Sequence, residues 1–496
     1  MRRYLKRSIH ELLETIEQMH ELLSAARFKE YSDCLPGLQE AAIAIGGFLE
    51  SSGENCDAII HALEKYCEDV YQYSIAEQIP QKKENFKVME DSINFIIDKI
   101  EKEIKEDKLD ILFMPYKADM WTSLASIWEA AKKDSECQVK VMPIPYYDIG
   151  DVKNIQFIYE GDRFPKEIEI IDYNNYSIEE NHPDIIFIHN PYDGNNNLTR
   201  VPQYYYSSNV KNHTGMLIYS PYFTVGNYNS QVHDFMYETP GVLNADYVIA
   251  QSEKVKGLFV QYGKPENQVL TFGSPKIDHV INNLQKHPEI PADWQDKLKG
   301  KKVFLLNTHL SYFAKAYLYA GSEDNYGVRF HKEILDTFIN KKDCALIWRP
   351  HPLLKSMLQA RFPECLPFVN YFEQTVREAD NGIVDETGDY DNAFYCSDAL
   401  LSTWSSLINE YMVTKKPVLI FQKRIPEELA EIAPLNRNIN YFRLGQDRIT
   451  FQEFRDHVLS GIDPLYENRM EAVWEAFPNK EGLAGEKIYQ YLKNTY

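Results

Sequence analysis

Apolar residues recur every three or four positions through the first hundred residues and in short unbroken runs after that, and this change of period divides the chain. Leu5, Ile9, Leu12, Ile16, Met19 and Leu23 share one side of a helix, as do Ile93, Ile96, Ile97, Ile100 and Ile104 further on. No strand-like run interrupts residues 1–107, which are therefore expected to form a helical domain of their own. From Leu109 the texture changes. LDILFMPY, CQVKVMPI, IQFIYEG, EIEIIDY, DIIFIHN, GMLIYSPY, DYVIAQS and QVLTFGSP read as short strands. Helices DMWTSLASIWEAAKK, with Asp119 as N-cap, and EKVKGLFVQYG lie among them.

A second alternating series opens at KKVFLLNTH. It runs through a helix near 331–340, strand ALIWRP, helices over 353–379, strands GIVDE and ALLSTW, helix SSLINEYMVTKK and strand PVLIF, and ends in mainly helical sequence. Strands alternating with helices imply parallel sheets wrapped by helices. The polar, proline-bearing stretch around 286–300 reads as a linker. The expected organisation is a helical domain over 1–107, a Rossmann-like domain over 108–285, and a second one with C-terminal helices over 300–496. The cleft between the last two is where ligands of such sheets sit, beyond the carboxyl ends of strands.

Charge and cysteines narrow the function. A net charge of −21 argues against sequence-blind nucleic-acid binding, which needs lysine and arginine to displace counterions. The seven cysteines are scattered without a Cys-x-x-Cys pair, so no disulfide framework, metal site or other cofactor is expected. SIHELLETIEQMHELL lacks the apolar block of a signal peptide, and no run approaches the ~20 apolar residues of a membrane helix. A cytoplasmic protein is expected. The basic MRRYLKR suits peripheral attachment at the inner membrane face, and the helical domain suits self-association.

Candidate chemistry gathers at strand ends. Arg349 and His351, in ALIWRPHP, offer a donor fork and a second donor for phosphate oxygens, against the plain alternative of an exposed turn. Ser402, Thr403, Ser405 and Ser406 stand where a buried strand gives way to a helix, which is either an anion site or simple N-capping. His189, Asn190 and Asp193 end a strand of the first series, with His189 a candidate general base or a structural histidine. In FGSPKID, Lys276 meets either a phosphate or a carboxylate. The tripeptide DYD at 389–391 fits a manganese pattern that is short enough to arise by chance. Neither Gly-x-x-x-x-Gly-Lys nor Gly-x-Gly-x-x-Gly occurs, so the ordinary ATPase and dinucleotide readings lack support.

WRPHP followed by YCSDALLSTWSSLINEYMVTKKPVLIF resembles the CDP-glycerol glycerophosphotransferase family of teichoic acid and capsule synthesis. Ser397-Asp398, Ser405-Ser406, Glu410-Tyr411 and Lys416-Pro417 stand at that family's pattern positions, and GSPKID is similar to its Gly-x-Pro-Arg-x-Asp. The turn departs from the pattern, with Thr403 and Trp404 where the family has aspartate and tyrosine, and IHNPYDGNNN lacks the family's lysine after the histidine. The resemblance implies a GT-B architecture. It implies a CDP-activated polyol donor, a glycan or polyol-phosphate acceptor, and release of CMP. Arg349, His351, Ser405 and Ser406 would hold the pyrophosphate, with Thr403, Lys276 and Asp193 completing the substrate-binding set. His189 would take the acceptor's proton, and Glu410 would either bind the ribose or orient the helix start. A nucleotide-sugar glycosyltransferase, a sugar-nucleotide 2-epimerase and a catalytically silent binding protein are the other readings of this sequence.

Overall fold

The computed structural model describes residues 1–25, 34–53, 55–150, 154–225, 236–310, 312–313, 326–351, 354–387, 389–403, 405–422, 438–444 and 449–496. Pro352 and Trp404, both part of the motifs above, lie outside the described residues. The chain forms two compact units. One comprises Met1–Ile111, Ser135–Gln138 and Ile178–Ile185; the other comprises Leu112–Asp134, Val139–Ser177 and Ile186–Tyr496.

The first unit is built on four helices, α1 Arg3–Ala25, α2 Leu35–Ser51, α3 Asp57–Ile75 and α4 Ile79–Glu103. On α1 the buried face is Leu5, Ile9, Leu13, Ile16, His20 and Leu23, so Leu13 and His20 take the inward places expected for Leu12 and Met19. The latter two pack partly buried at its border. His20 is admitted to this core because Nε2 lies 2.7 Å from the Tyr66 hydroxyl. Burial pushes its imidazole down to about 4, so it stays neutral.

Among the described residues fifteen strands follow: β1 Leu109–Met114, β2 Cys137–Val141, β3 Tyr146–Asp148, β4 Gln156–Ile158, β5 Ile185–Ile188, β6 Thr199–Arg200, β7 Met216–Tyr219, β8 Tyr247–Ile249, β9 Val269–Leu270, β10 Lys302–Asn307, β11 Cys344–Trp348, β12 Gly382–Val384, β13 Ala399–Ser402, β14 Val418–Gln422 and β15 Tyr441–Leu444. Six make a sheet in the order β2-β1-β5-β7-β8-β9, and six make another in the order β12-β11-β10-β13-β14-β15. All five pairings of the second sheet are parallel. Its strands alternate between two cores. Phe304, Leu306, Leu346, Trp348 and Leu401 enter one; Val303, Leu305, Ala345, Ile347 and Leu400 enter the other. Burial on both faces explains why these strands read as unbroken apolar runs.

Several expectations change. IQFIYEG contributes β4 to a small antiparallel sheet, paired with β3, instead of joining the large one. EIEIIDY makes only an isolated bridge, Val141 to Ile170. Asp119 caps no helix, because a 3-10 segment over Ala118–Ser123 precedes the helix Ala125–Lys132. The supposed linker contains the helix Ala292–Leu298 with Trp294 buried. Lys297 on that helix donates to the carbonyls of Arg377, Ala379 and Gly382 at 3.2, 3.1 and 2.7 Å. Strand β15 appears where helix was expected.

The C-terminal helix Ala484–Thr495 returns to the first sheet's flank. Asp278, fully buried, accepts from the backbone N–H groups of Ala484 and Gly485 at 3.0 and 2.7 Å and from Asn479 at 2.7 Å. A Cβ at Gly485 would stand 2.5 Å from the backbone of Ser126, so only glycine permits this approach. The aspartate of GSPKID therefore anchors the helix that closes the chain.

Candidate functional site

In the second sheet the chain lays down β10, steps outward to β11 and β12, then crosses back to place β13, β14 and β15 on the other side. The crevice between the ends of β10 and β13 is the switch point where ligands of open α/β sheets bind. Strand ends leave backbone groups needing partners, and here side chains supply them. Thr403, fully buried, accepts the N–H of His309 at 2.8 Å while its own N–H meets the Asn307 carbonyl at 3.3 Å. Ser405 donates to Asn307 Oδ1 at 3.3 Å and accepts the N–H of Leu407 at 3.2 Å. Asn307 Nδ2 reaches the Arg349 carbonyl at 3.3 Å. Three strand ends are thereby tied into one polar cradle.

The guanidinium of Arg349 is aimed by the end of β12. It contacts Asp385 Oδ2 at 2.7 Å, the Thr387 hydroxyl at 3.2 Å and the Thr387 carbonyl at 3.1 Å. Asp385 in turn accepts the Thr387 hydroxyl at 2.6 Å and its N–H at 3.0 Å, so the fork is pre-set. The imidazole of His351 is pushed down by burial and then by His309. Ser406 is exposed and makes no capping bond. The helix after it spans only Leu407–Met412. So short a helix adds little dipole, and the cradle owes its polarity to side chains and strand ends.

Lys276 begins the helix Pro275–Lys286, after Gly273 has turned the chain at φ +105°. Its ammonium lies 2.9 Å from Glu410, with both side chains largely buried (16% and 3% exposed). Of the two partners expected for Lys276, the structure shows the carboxylate. Glu410 is thus held in an ion pair, beside the Tyr390 hydroxyl whose proton it helps retain.

The first sheet has its own switch point, between β1 and β5, and His189 stands there fully buried. Its Nε2 accepts the Tyr116 N–H at 3.0 Å and its Nδ1 lies 3.2 Å from Ser123 Oγ. Burial pushes the imidazole down to about 3. In this arrangement both nitrogens are engaged and burial suppresses basicity, so action as a base requires Nε2 to release the Tyr116 N–H. Asp193 is also committed: its carboxylate accepts the Ser207 N–H at 2.9 Å and the Ser207 hydroxyl at 2.6 Å. In this structure Asp193 thus ties its loop to Ser207. Asp119 reaches solvent, yet protein on its other sides pushes its carboxyl above the usual range, while Lys117 and Lys276 pull the opposite way.

Of the expected residues, then, Arg349, His351, Thr403, Ser405 and Ser406 gather at the second sheet's switch point. Lys276 and Glu410 form a pair, and His189 and Asp193 belong to the first sheet's framework. Sequence reasoning missed Asn307, His309 and Asp385. The first two end the run VFLLNTH as Arg349 and His351 end ALIWRPH, a signal that was readable; Asp385 needed the pairing of β11 with β12. Other motif residues are structural. Asp398 accepts the Val303 N–H and pairs with Lys302, both at 2.8 Å. Ser397 meets the Tyr411 hydroxyl at 3.0 Å. Lys416, its ammonium pushed down to about 8 by burial, donates to the carbonyls of Phe394 and Tyr395 at 2.6 and 3.2 Å.

Residues 224–427, which hold this cradle, match the family described as CDP-Glycerol:Poly(glycerophosphate) glycerophosphotransferase. The chain is also 24% identical over 240 residues to the teichoic acid ribitol-phosphate polymerase TarL of Staphylococcus aureus (strain NCTC 8325 / PS 47), covering 47% of this chain. It spans about a third of that relative's length (35%). Among solved structures, the wall teichoic acid polymerase TagF superposes with a TM-score of 0.50 at 13% identity, over 87% of this chain and 98% of that one. A UDP-N-acetylglucosamine 2-epimerase gives 0.49 at 14% identity, over 79% and 96%. The TagF superposition agrees with the two-sheet topology: the matched segment sits in a GT-B-type fold.

Proposed function

We propose that the chain transfers a polyol phosphate, glycerol phosphate first among candidates, from a CDP-activated donor to a hydroxyl of a cell-surface glycan or teichoic-acid-type acceptor, releasing CMP. The observation that carries this is the cradle of Asn307, His309, Arg349, His351 and Ser405 at the switch point, inside the segment that matches the glycerophosphotransferase family. In this reading Arg349, His351, Ser405 and Ser406 contact the diphosphate, and Thr403 holds the strand ends that present them.

The acceptor oxygen attacks the phosphorus bearing the polyol, and the bond from that phosphorus to the CMP oxygen breaks. Negative charge grows on the equatorial oxygens and on departing CMP. Donors already in place stabilise that charge without reorganising, each worth ~3 kcal/mol of barrier. The acceptor's proton leaves toward the first sheet. His189 receives it once Nε2 has exchanged the Tyr116 N–H for the acceptor hydroxyl; Asp119 is the solvent-reaching carboxyl on the same turn. The test is CMP release from CDP-glycerol with polyol-phosphate or glycan acceptors present. Acceptor-dependent release that is lost in His351→Ala supports the reading. No release with any acceptor, together with no calorimetric binding of CDP-glycerol, removes it.

A further inference from the structure

The register of the second sheet sets Leu306 opposite Trp348, so His309 and His351 each lie three residues beyond a paired position on adjoining parallel strands. Their main chains are pinned. His309 gives its N–H to Thr403 at 2.8 Å and takes the Tyr312 N–H at 2.9 Å, and the carbonyl of His351 takes the Leu354 N–H at 2.8 Å. His309 reaches solvent and His351 is half-buried. Burial, and then His309, make protonation of His351 harder.

Among the described residues, three cations of this region are paired with carboxylates. Arg349 faces Asp385 at 2.7 Å, Lys276 faces Glu410 at 2.9 Å and Lys355 faces Glu373 at 2.5 Å. Below the pair, buried His331 has its Nδ1 on the Gly327 carbonyl at 2.7 Å and its Nε2 on the Thr308 hydroxyl at 3.2 Å, and it is held neutral. Tyr390 keeps its proton beside Glu410. A nucleotide diphosphate diester brings two negative charges into this region. An imidazole is the side chain able to answer with a proton near neutral pH.

We propose that His309 is a donor-binding residue paired with His351, and that the two imidazoles together take up one proton as the diphosphate enters. This rests on the transferase reading only for the identity of the nucleotide.

The test is isothermal calorimetry at pH 7.5 in two buffers of different ionisation enthalpy. The ligands are CDP-glycerol and a UDP-linked sugar, both diphosphate diesters without a group titrating near neutrality. Imidazole 15N shifts on the same samples report protonation directly. The wild type is expected to take up about one proton with CDP-glycerol, and its Kd to rise about tenfold from pH 7 to pH 8. His309→Gln keeps a donor but carries no proton, so uptake and pH dependence should both collapse; His351→Gln should do the same. Binding of CDP-glycerol without proton uptake, or uptake retained in His309→Gln, overturns the pair and leaves the transferase reading standing. If only the UDP-linked sugar binds, with uptake lost in His309→Gln, the pair stands and the cytidine donor falls. If neither ligand binds, both are overturned.

Discussion

Arg349 illustrates what one residue type contributes. Its fork meets Asp385 and both the hydroxyl and carbonyl of Thr387, a planar arrangement an ammonium cannot copy. Arg349→Lys should therefore lower kcat/KM for donor turnover by about 100-fold with little change in thermal midpoint. Equal activity would show that only the charge matters. His189 separates two roles. If it accepts the acceptor's proton, His189→Gln lowers kcat at constant KM and removes the acid limb of the pH profile. If it only orders the 116–123 turn, the profile keeps its shape and the acceptor's KM rises. Asp278 is a buried acceptor of three bonds, two of them from backbone at a helix start. Asp278→Ala strands those donors, and urea unfolding should show a loss of about 3 kcal/mol; a loss below ~1 kcal/mol would mean that the C-terminal helix is held by packing instead.

At the scale of elements, the Lys276–Glu410 pair joins the helix that follows the first sheet to the short helix Leu407–Met412. Removing one partner leaves a largely buried charge. Lys276→Met and Glu410→Gln should each cost roughly 3 kcal/mol, and the double variant less than their sum. Additive losses in chemical unfolding would show that the two act independently. The same helix shows how far local sequence reaches. LLSTWSSLINEY carries the apolar run and hydroxyl residues that mark a strand end, and both are found there. Which hydroxyl caps, which ties strand to strand and which stays open was decided by Asn307 and His309 arriving from β10. EIEIIDY falls short of a strand for a related reason: alternation equips a segment for pairing, but among the described residues it forms one bridge, to Val141.

For the whole molecule, three buried histidines predict the acid response. His20, His189 and His331 are pushed to about 4, 3 and 4 by burial, below the ordinary value near 6.5. Their contribution is complete above the unfolded-state value. It is lost as pH falls, because the unfolded chain binds protons that the folded one refuses. Each should remove about 2 kcal/mol between pH 7 and pH 5, read as a falling urea midpoint. His331→Gln should flatten the second unit's share, and an unchanged slope would place the sensitivity elsewhere. The sequence alone determined the helical start, the alternation of strand and helix, and the positions where apolar runs break into polar residues, because these follow from side-chain period and burial within short windows. It also carried the family likeness after residue 345. Tertiary structure alone decided strand order, hence which strand ends share a crevice. It converted Asp193 into a tie for Ser207, engaged Lys276 with Glu410, and set His309 beside His351. The reason is physical: a strand's sequence specifies what it can bury, while its neighbours are fixed by helices crossing tens of residues away. The chemistry of a strand end depends on those neighbours.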